Sequence, residues 1–143
     1  MSWKYNFLDH TADIALDVEA DTLDELFTAS AFAWRDSISD DKESSQPQER
    51  SLVLSENDLE ILLVSFLSEL NFLFQSESWM MNSIKYIEIG KEDDGWTLSV
   101  KILGGNFNRN ELRLKTEIKA ITYHQMEIKE KDGKFSTRIV FDI

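Results

Sequence analysis

Apolar residues recur along this chain with two periods, and the switches between them mark its elements. Residues 3–8 (Trp3-Lys4-Tyr5-Asn6-Phe7-Leu8) alternate weakly and read as a first strand. Residues 14–20 alternate cleanly, with Ile14, Leu16, Val18 and Ala20 on one side and Ala15, Asp17 and Glu19 on the other. The stretch between them, Asp9-His10-Thr11-Ala12-Asp13, is a loop at a strand junction. Thr22-Leu23-Asp24-Glu25 then has the spacing of a capping box, in which the threonine accepts from the N3 amide. Leu23, Leu26, Phe27, Ala31 and Trp34 follow at 3.6-residue spacing and predict a helix.

Positions 36–50 are polar and acidic and hold the only proline, Pro47, which predicts a solvated connector. Ser51-Leu52-Val53-Leu54 fits a short strand, and Ser55-Glu56-Asn57-Asp58 supplies cap residues and early negative charge for a second helix. That helix is the clearest element. Leu59, Leu62, Leu63, Phe66, Leu67, Leu70, Leu73 and Phe74 make an apolar stripe about four turns long. Fully burying one such side chain is worth about 1.5–3 kcal/mol, so the stripe must lie against a sheet.

Strand-like runs follow at Ile84–Ile89, Trp96–Leu103, Glu111–Tyr123, Met126–Lys129 and Phe135–Ile143. Asp93-Asp94-Gly95 and Lys131-Asp132-Gly133 are turn sequences, because Asp-Gly tolerates the positive φ of tight hairpins. Gly104-Gly105-Asn106 marks a longer loop. The pattern predicts one α+β domain over 1–143: two layers, a mostly antiparallel sheet with two helices packed on one face.

Composition narrows the function. A chain of 143 residues with 42% hydrophobic content can bury a full core without staples, and it has no cysteine for disulfides or thiolate metal sites. No run of 18 apolar residues occurs, and the first residues lack a signal-peptide pattern. The expectation is a cytoplasmic protein, away from membranes and monomeric by default. Asp and Glu outnumber Lys and Arg by 27 to 15, for a net charge of −12. Nucleic-acid binders present a basic face, so tight direct RNA or DNA binding is not expected. Such a protein can still serve a nucleic-acid pathway by docking on a basic protein.

Both histidines sit in dense polar stretches: His10 in the first motif, His124 at the end of Lys119-Ala120-Ile121-Thr122-Tyr123-His124. The sequence closes on Phe141-Asp142-Ile143. If the fold joins these ends, Asp9, His10, Asp13, Asp142 and the α-carboxylate of Ile143 form one acidic pocket. Residue by residue, the aspartates can cap turns and the histidines can bond loop carbonyls. Taken together they offer hard oxygen donors of the kind Ca²⁺ and Mg²⁺ take. Two carboxylates about 4 Å apart at an effective dielectric near 20 repel by about 4 kcal/mol, so such a pocket calls for a cation, a proton or a basic partner group. There is no cysteine nucleophile, no Gly-x-Ser-x-Gly elbow and no phosphate-binding glycine loop with lysine. Two histidines cannot make a three-histidine zinc site.

The chain resembles the archease family. The resemblance rests on Leu8-Asp9-His10-Thr11-Ala12-Asp13-Ile14, Asp21-Thr22-Leu23-Asp24-Glu25-Leu26-Phe27, Asp58-Leu59-Glu60-Ile61-Leu62-Leu63 with Phe66-Leu67-Ser68-Glu69-Leu70, Lys115-Thr116-Glu117-Ile118-Lys119-Ala120-Ile121-Thr122-Tyr123-His124, and Asp142-Ile143. It covers nearly the whole chain in order, leaving out mainly 36–50. It implies an α+β fold and a chaperone-like protein cofactor of the tRNA-splicing RNA ligase, which joins 2′,3′-cyclic phosphate and 5′-hydroxyl ends. Such a cofactor promotes guanylylation of the ligase's active-site histidine and its repeated turnover. It also implies a divalent-cation site, with calcium foremost and magnesium or manganese as alternatives, at Asp13, Asp142 and Ile143. Asp9, His10 and His124 are motif positions whose individual roles the resemblance does not settle, supporting the site and contacting the partner being the candidates. Gly105-Asn106 departs from the Gly-Glu of many relatives.

Three readings compete. In the first, the chain activates the ligase without catalysis of its own. In the second, it is a metal-dependent hydrolase or nucleotide-modifying enzyme with His10 or His124 as general base. In the third, the cation is structural and ties the termini together.

Overall fold

The computed structural model describes residues 2–8, 13–40, 47–108, 110, 113–123 and 126–143. Ten elements follow one another: β1 (Trp3–Leu8), β2 (Asp13–Ala20), α1 (Leu23–Ile38), β3 (Gln48–Glu56), α2 (Leu59–Glu77), β4 (Trp79–Glu92), β5 (Gly95–Asn106), β6 (Ala120–Thr122), β7 (Lys129–Lys131) and β8 (Lys134–Asp142). The α+β class expected from the sequence is the one observed. The strands, however, divide between two antiparallel sheets: β1-β2-β8-β6, with β7 also on β8, and β3-β5-β4.

Each helix packs against strands of both sheets: α1 against β1, β2 and β4, α2 against β3, β4, β5 and β6. The composition of α1 explains why. Ala29, Ala31, Ala33, Trp34 and Ser30 are all fully buried, so the helix is covered nearly all round and needs a layer on either side. Its buried hydroxyls are satisfied within the helix, Ser30 Oγ donating to Leu26 O (2.7 Å) and Ser37 Oγ to Ala33 O (2.8 Å). Thr22 caps it as the spacing predicts, accepting from Glu25 N at 3.1 Å. The Tyr5 hydroxyl donates to the Asp36 carboxylate and ties β1 to α1. Burial and that carboxylate push Tyr5 up to about 12, so the tie is whole below about pH 10 and is lost as pH rises through 12.

α2 has the length and composition of a membrane span. Yet Leu62, Leu63, Phe66, Leu67, Leu70, Leu73 and Phe74 of the stripe read from the sequence are buried in the core instead, with Leu59 half-buried against it. The connector is narrower than 36–50: Asp36 to Ile38 finish α1, and β3 begins at Gln48.

Three sequence expectations give way. Among the described residues of Glu111–Tyr123, Ala120–Thr122 alone is strand, and the rest is held by partners other than a ladder. Lys115 N donates to Ile38 O (2.7 Å), and Ile118 O accepts from Asn71 Nδ2 (2.9 Å) and Gln75 Nε2 (2.7 Å). Met126 to Ile128 is likewise irregular, with Ile128 N donating to Glu60 Oε2 (3.1 Å). Gly104-Gly105-Asn106 is not a loop but the end of β5.

The glycines explain themselves differently. At Asp132 (φ 55°) and Gly133 (φ 77°) the hairpin takes the positive φ values expected of it. None of Asp93, Asp94 or Gly95 does. Gly95 is instead a close approach, where a Cβ would fall 2.5 Å from Glu56 O. Gly104 is tighter: a Cβ there would lie 2.2 Å from Met80 O and 2.8 Å from the Trp79 ring. Gly104→Ala must push β4 and β5 apart, and a loss of about 3 kcal/mol is expected in urea unfolding. A loss under about 0.5 kcal/mol would mean the strands separate without cost.

Candidate functional site: the acidic tip

The register of β2 on β8 is set by apolar pairs, Ile14 opposite Phe141 and Leu16 opposite Ile139. A slip by one residue would turn every one of them out of the core. The same register therefore fixes the outward rungs, and the last of these places Asp13 directly opposite Asp142. Directly opposed residues share a face, with Cβ atoms about 4.5–5.5 Å apart. Two carboxylates from opposite ends of the chain thus meet at one end of the sheet. Asp13 is half-buried and Asp142 exposed.

The backbone of Asp142 is held on its other side as well. Ala120 of β6 lies opposite it, and Lys119 N donates to Asp142 O (2.8 Å). Ile118, the preceding residue, is the one gripped by Asn71 and Gln75 of α2. Asn71 Oδ1 in turn accepts from the buried Trp34 Nε1 of α1 (3.0 Å). A chain of hydrogen bonds runs from α1 through α2 to the last strand. Asn71 was missed in the sequence, although a polar residue between Leu70 and Leu73 on an apolar stripe is the signal that could have found it.

The inner rungs of the outward face carry opposite charges. Asp17 faces Arg138 in a two-pronged pair (2.8 and 3.2 Å), and Glu19 lies 3.6 Å from both Lys4 and Lys134. At the terminal rung a carboxylate stands opposite a carboxylate.

Among the described residues, no three Asp, Glu, His or Cys side chains converge on a metal-sized site. Asp13 and Asp142 offer hard oxygen donors, and the third position implied by the resemblance is Ile143, next to Asp142. That donor set fits a hard divalent cation such as Ca²⁺ or Mg²⁺. Asp9, His10 and His124 lie outside the described residues. The departure at Asn106 has a structural use here: its Nδ2 donates to Glu77 O (2.9 Å), closing the C-terminus of α2 where Ser78 turns left-handed (φ 53°). A glutamate could not donate there.

The chain is similar to known proteins over nearly its whole length. Residues 5–143 match the Archease protein family (MTH1598/TM1083). The protein archease of Methanosarcina barkeri is 35% identical over 140 residues, spanning 98% of this chain and 96% of its own. That of Archaeoglobus fulgidus is 36% identical, covering 98% and 99%. Among solved structures, protein 1598 of Methanobacterium thermoautotrophicum superposes with a TM-score of 0.76 at 27% identity, covering 97% of this chain and 98% of that one. A Thermotoga maritima protein described as an archease and possible chaperone shares the fold, with a TM-score of 0.58 at 23% identity over 95% and 94%. With its motifs in order, its α+β fold and full-length similarity to these proteins, the chain belongs to the archease family.

Proposed function

We propose that this chain is an accessory activator of the tRNA-splicing RNA ligase. It promotes guanylylation of the ligase and multiple-turnover joining of 2′,3′-cyclic phosphate and 5′-hydroxyl ends, with no catalysis of its own. The observation that carries this reading is the Asp13–Asp142 rung, which sets the last residue of the first motif opposite the last acidic residue of the sequence. Asp13, Asp142 and Ile143 would hold a divalent cation, calcium foremost, which when bound neutralises the clustered charge and offers a Lewis-acid centre. The residues themselves orient: the β2–β8 ladder and the Lys119 amide fix where the tip carboxylates point. A net charge of −12 suits a basic, nucleotide-binding protein partner rather than RNA itself.

One observation favours a second reading. The rung joins the start of β2 to the end of β8, so a cation there would also staple two strand ends, a structural role. The deciding experiment is guanylate transfer from GTP to the ligase of the same organism, with RNA ends in excess. Faster transfer and repeated turnover on adding this protein are expected. No effect on a competent ligase would refute the activator reading. Activation that survives both chelation and Asp13→Ala would leave the cation a structural role only.

A further inference from the structure

Seven large apolar side chains are substantially exposed among the described residues: Trp3, Phe7, Val53, Phe72, Tyr86, Leu114 and Tyr123. Three of them lie on three separate segments that lead to the acidic tip. Phe7 lies opposite Leu16, three residues along β2 from Asp13, or about 10 Å back from the tip. Tyr123 follows β6 three residues after Ala120, the partner of Asp142, and so is within about 11 Å of that row along the chain. Leu114 is five residues before Lys119, whose amide holds Asp142, and so is no more than about 18 Å from it along the chain. It also bridges to Ser39, just past the end of α1. The other four lie elsewhere: Val53 and Tyr86 on the three-stranded sheet, Phe72 on α2, and Trp3 at the far end of β1, stacked on Phe32 at 5.8 Å.

A standard protein interface buries about 800 Å² per partner, a disc of about 16 Å radius. Centred on the Asp13–Asp142 rung, such a disc takes in Phe7 and Tyr123 and reaches the neighbourhood of Leu114. Phe7 belongs to the core side of its sheet and the carboxylates to the outward side. A flat partner could not touch both, but a concave mouth receiving the tip end-on touches both within its first ~10 Å. Charge says what that mouth carries: two carboxylates at its centre, on a chain of net charge −12, call for a basic floor.

We infer that Phe7, Leu114 and Tyr123 form an apolar collar by which the tip is seated in a basic, concave site of a protein partner. This rests on the activator reading above, with the ligase as that partner. The collar supplies the desolvated anchors in which binding energy concentrates, while the carboxylates supply register and steering. Leu114 and Tyr123 lie on irregular segments and Phe7 on an edge strand, so none of the three is essential to the core.

The test is direct binding of the unaltered full chain and of Phe7→Ala, Leu114→Ala and Tyr123→Ala to the ligase, with Val53→Ala and Tyr86→Ala as exposed controls on the other sheet. Each collar variant is expected to weaken binding about tenfold or more, with its melting temperature kept within a few degrees, and the controls are expected to bind normally. Should Phe7→Ala disturb β1, the Leu114 and Tyr123 variants still decide. Collar variants that bind like the unaltered chain, while Asp13→Ala and Asp142→Ala lose activation, would overturn the collar and leave the activator reading intact. Absence of any complex with the unaltered chain would overturn both.

Discussion

An Asp142→Asn protein is expected to activate the ligase about ten- to a hundredfold less well than the unaltered chain, yet to be slightly more stable in chelator. The two halves share one cause. Asparagine keeps the size of aspartate and leaves the strand pairing untouched, so what changes is one negative charge facing Asp13. Without a cation that charge opposes another across the ladder, and removing it should return about 0.2–1 kcal/mol, a rise of about 1–4 °C in Tm. With a divalent ion present the sign reverses. An ion at a hundred times its Kd stabilises the chain by about 2.7 kcal/mol, and a site short of one carboxylate forfeits most of that. The functional loss follows from the value of a charged contact, about 1.5–3 kcal/mol, or roughly ten- to a hundredfold. Asp13→Asn should behave alike. Thermal melts with calcium and with chelator, run beside the guanylate-transfer assay, separate the claims. The same shift in Tm under both conditions would show that no ion is held by this rung.

The elements that could be read from the sequence are those whose cause is local. The apolar stripe of α2 and the Thr22–Glu25 cap are set by residues within a turn or two, and they stand as the spacing predicts. The Asp132-Gly133 turn is equally local, because two successive positive φ values are what Asp-Gly accepts. Failures occur where the cause is distant. The run from 111 to 123 has the composition of a strand. Ile118, however, offers its carbonyl to Asn71 and Gln75, and Lys115 offers its amide to α1, so most of that run joins no ladder. Gly104-Gly105 looks like loop punctuation, but Gly104 is there because the Met80 carbonyl passes where a side chain would be. The division into two sheets is nonlocal for the same reason: nothing in an individual strand states which of two layers it joins. The tip lies between these cases. The residue types at each end announced oxygen chemistry, but a one-dimensional pattern cannot bring residue 13 to residue 142. Only the resemblance predicted that meeting, and the β2–β8 register shows its physical basis: the core pairs Ile14–Phe141 and Leu16–Ile139 leave the two aspartates opposed.

Asn71→Ala is expected to cost about 2–4 kcal/mol and, at temperatures where the variant is still folded, to lower activation as well. Asn71 is 6% exposed and joins three segments through two hydrogen bonds, accepting from Trp34 Nε1 and donating to Ile118 O. Alanine removes both at once. The indole N–H of Trp34, a residue with no exposed surface, then loses its acceptor, and a buried group left in that state costs about 1–3 kcal/mol. The Ile118 carbonyl keeps its bond from Gln75 Nε2, so its share is smaller, and alanine's better helix propensity returns a few tenths. Against a typical total of 5–15 kcal/mol the remaining deficit is large. The effect on function follows from the next residue along: Lys119 donates to Asp142 O, so a loosened Ile118 loosens the strand end that carries the tip carboxylate. Gln75→Ala, which removes one of two donors to the same carbonyl and leaves Trp34 satisfied, should cost under about 1.5 kcal/mol. Urea unfolding of the two variants gives the ordering, and guanylate transfer at low temperature gives the coupling to the tip. If Asn71→Ala were as stable as Gln75→Ala, the Trp34 bond would carry no weight. If it were unstable but fully activating, the hydrogen-bond chain would support the core without positioning the tip.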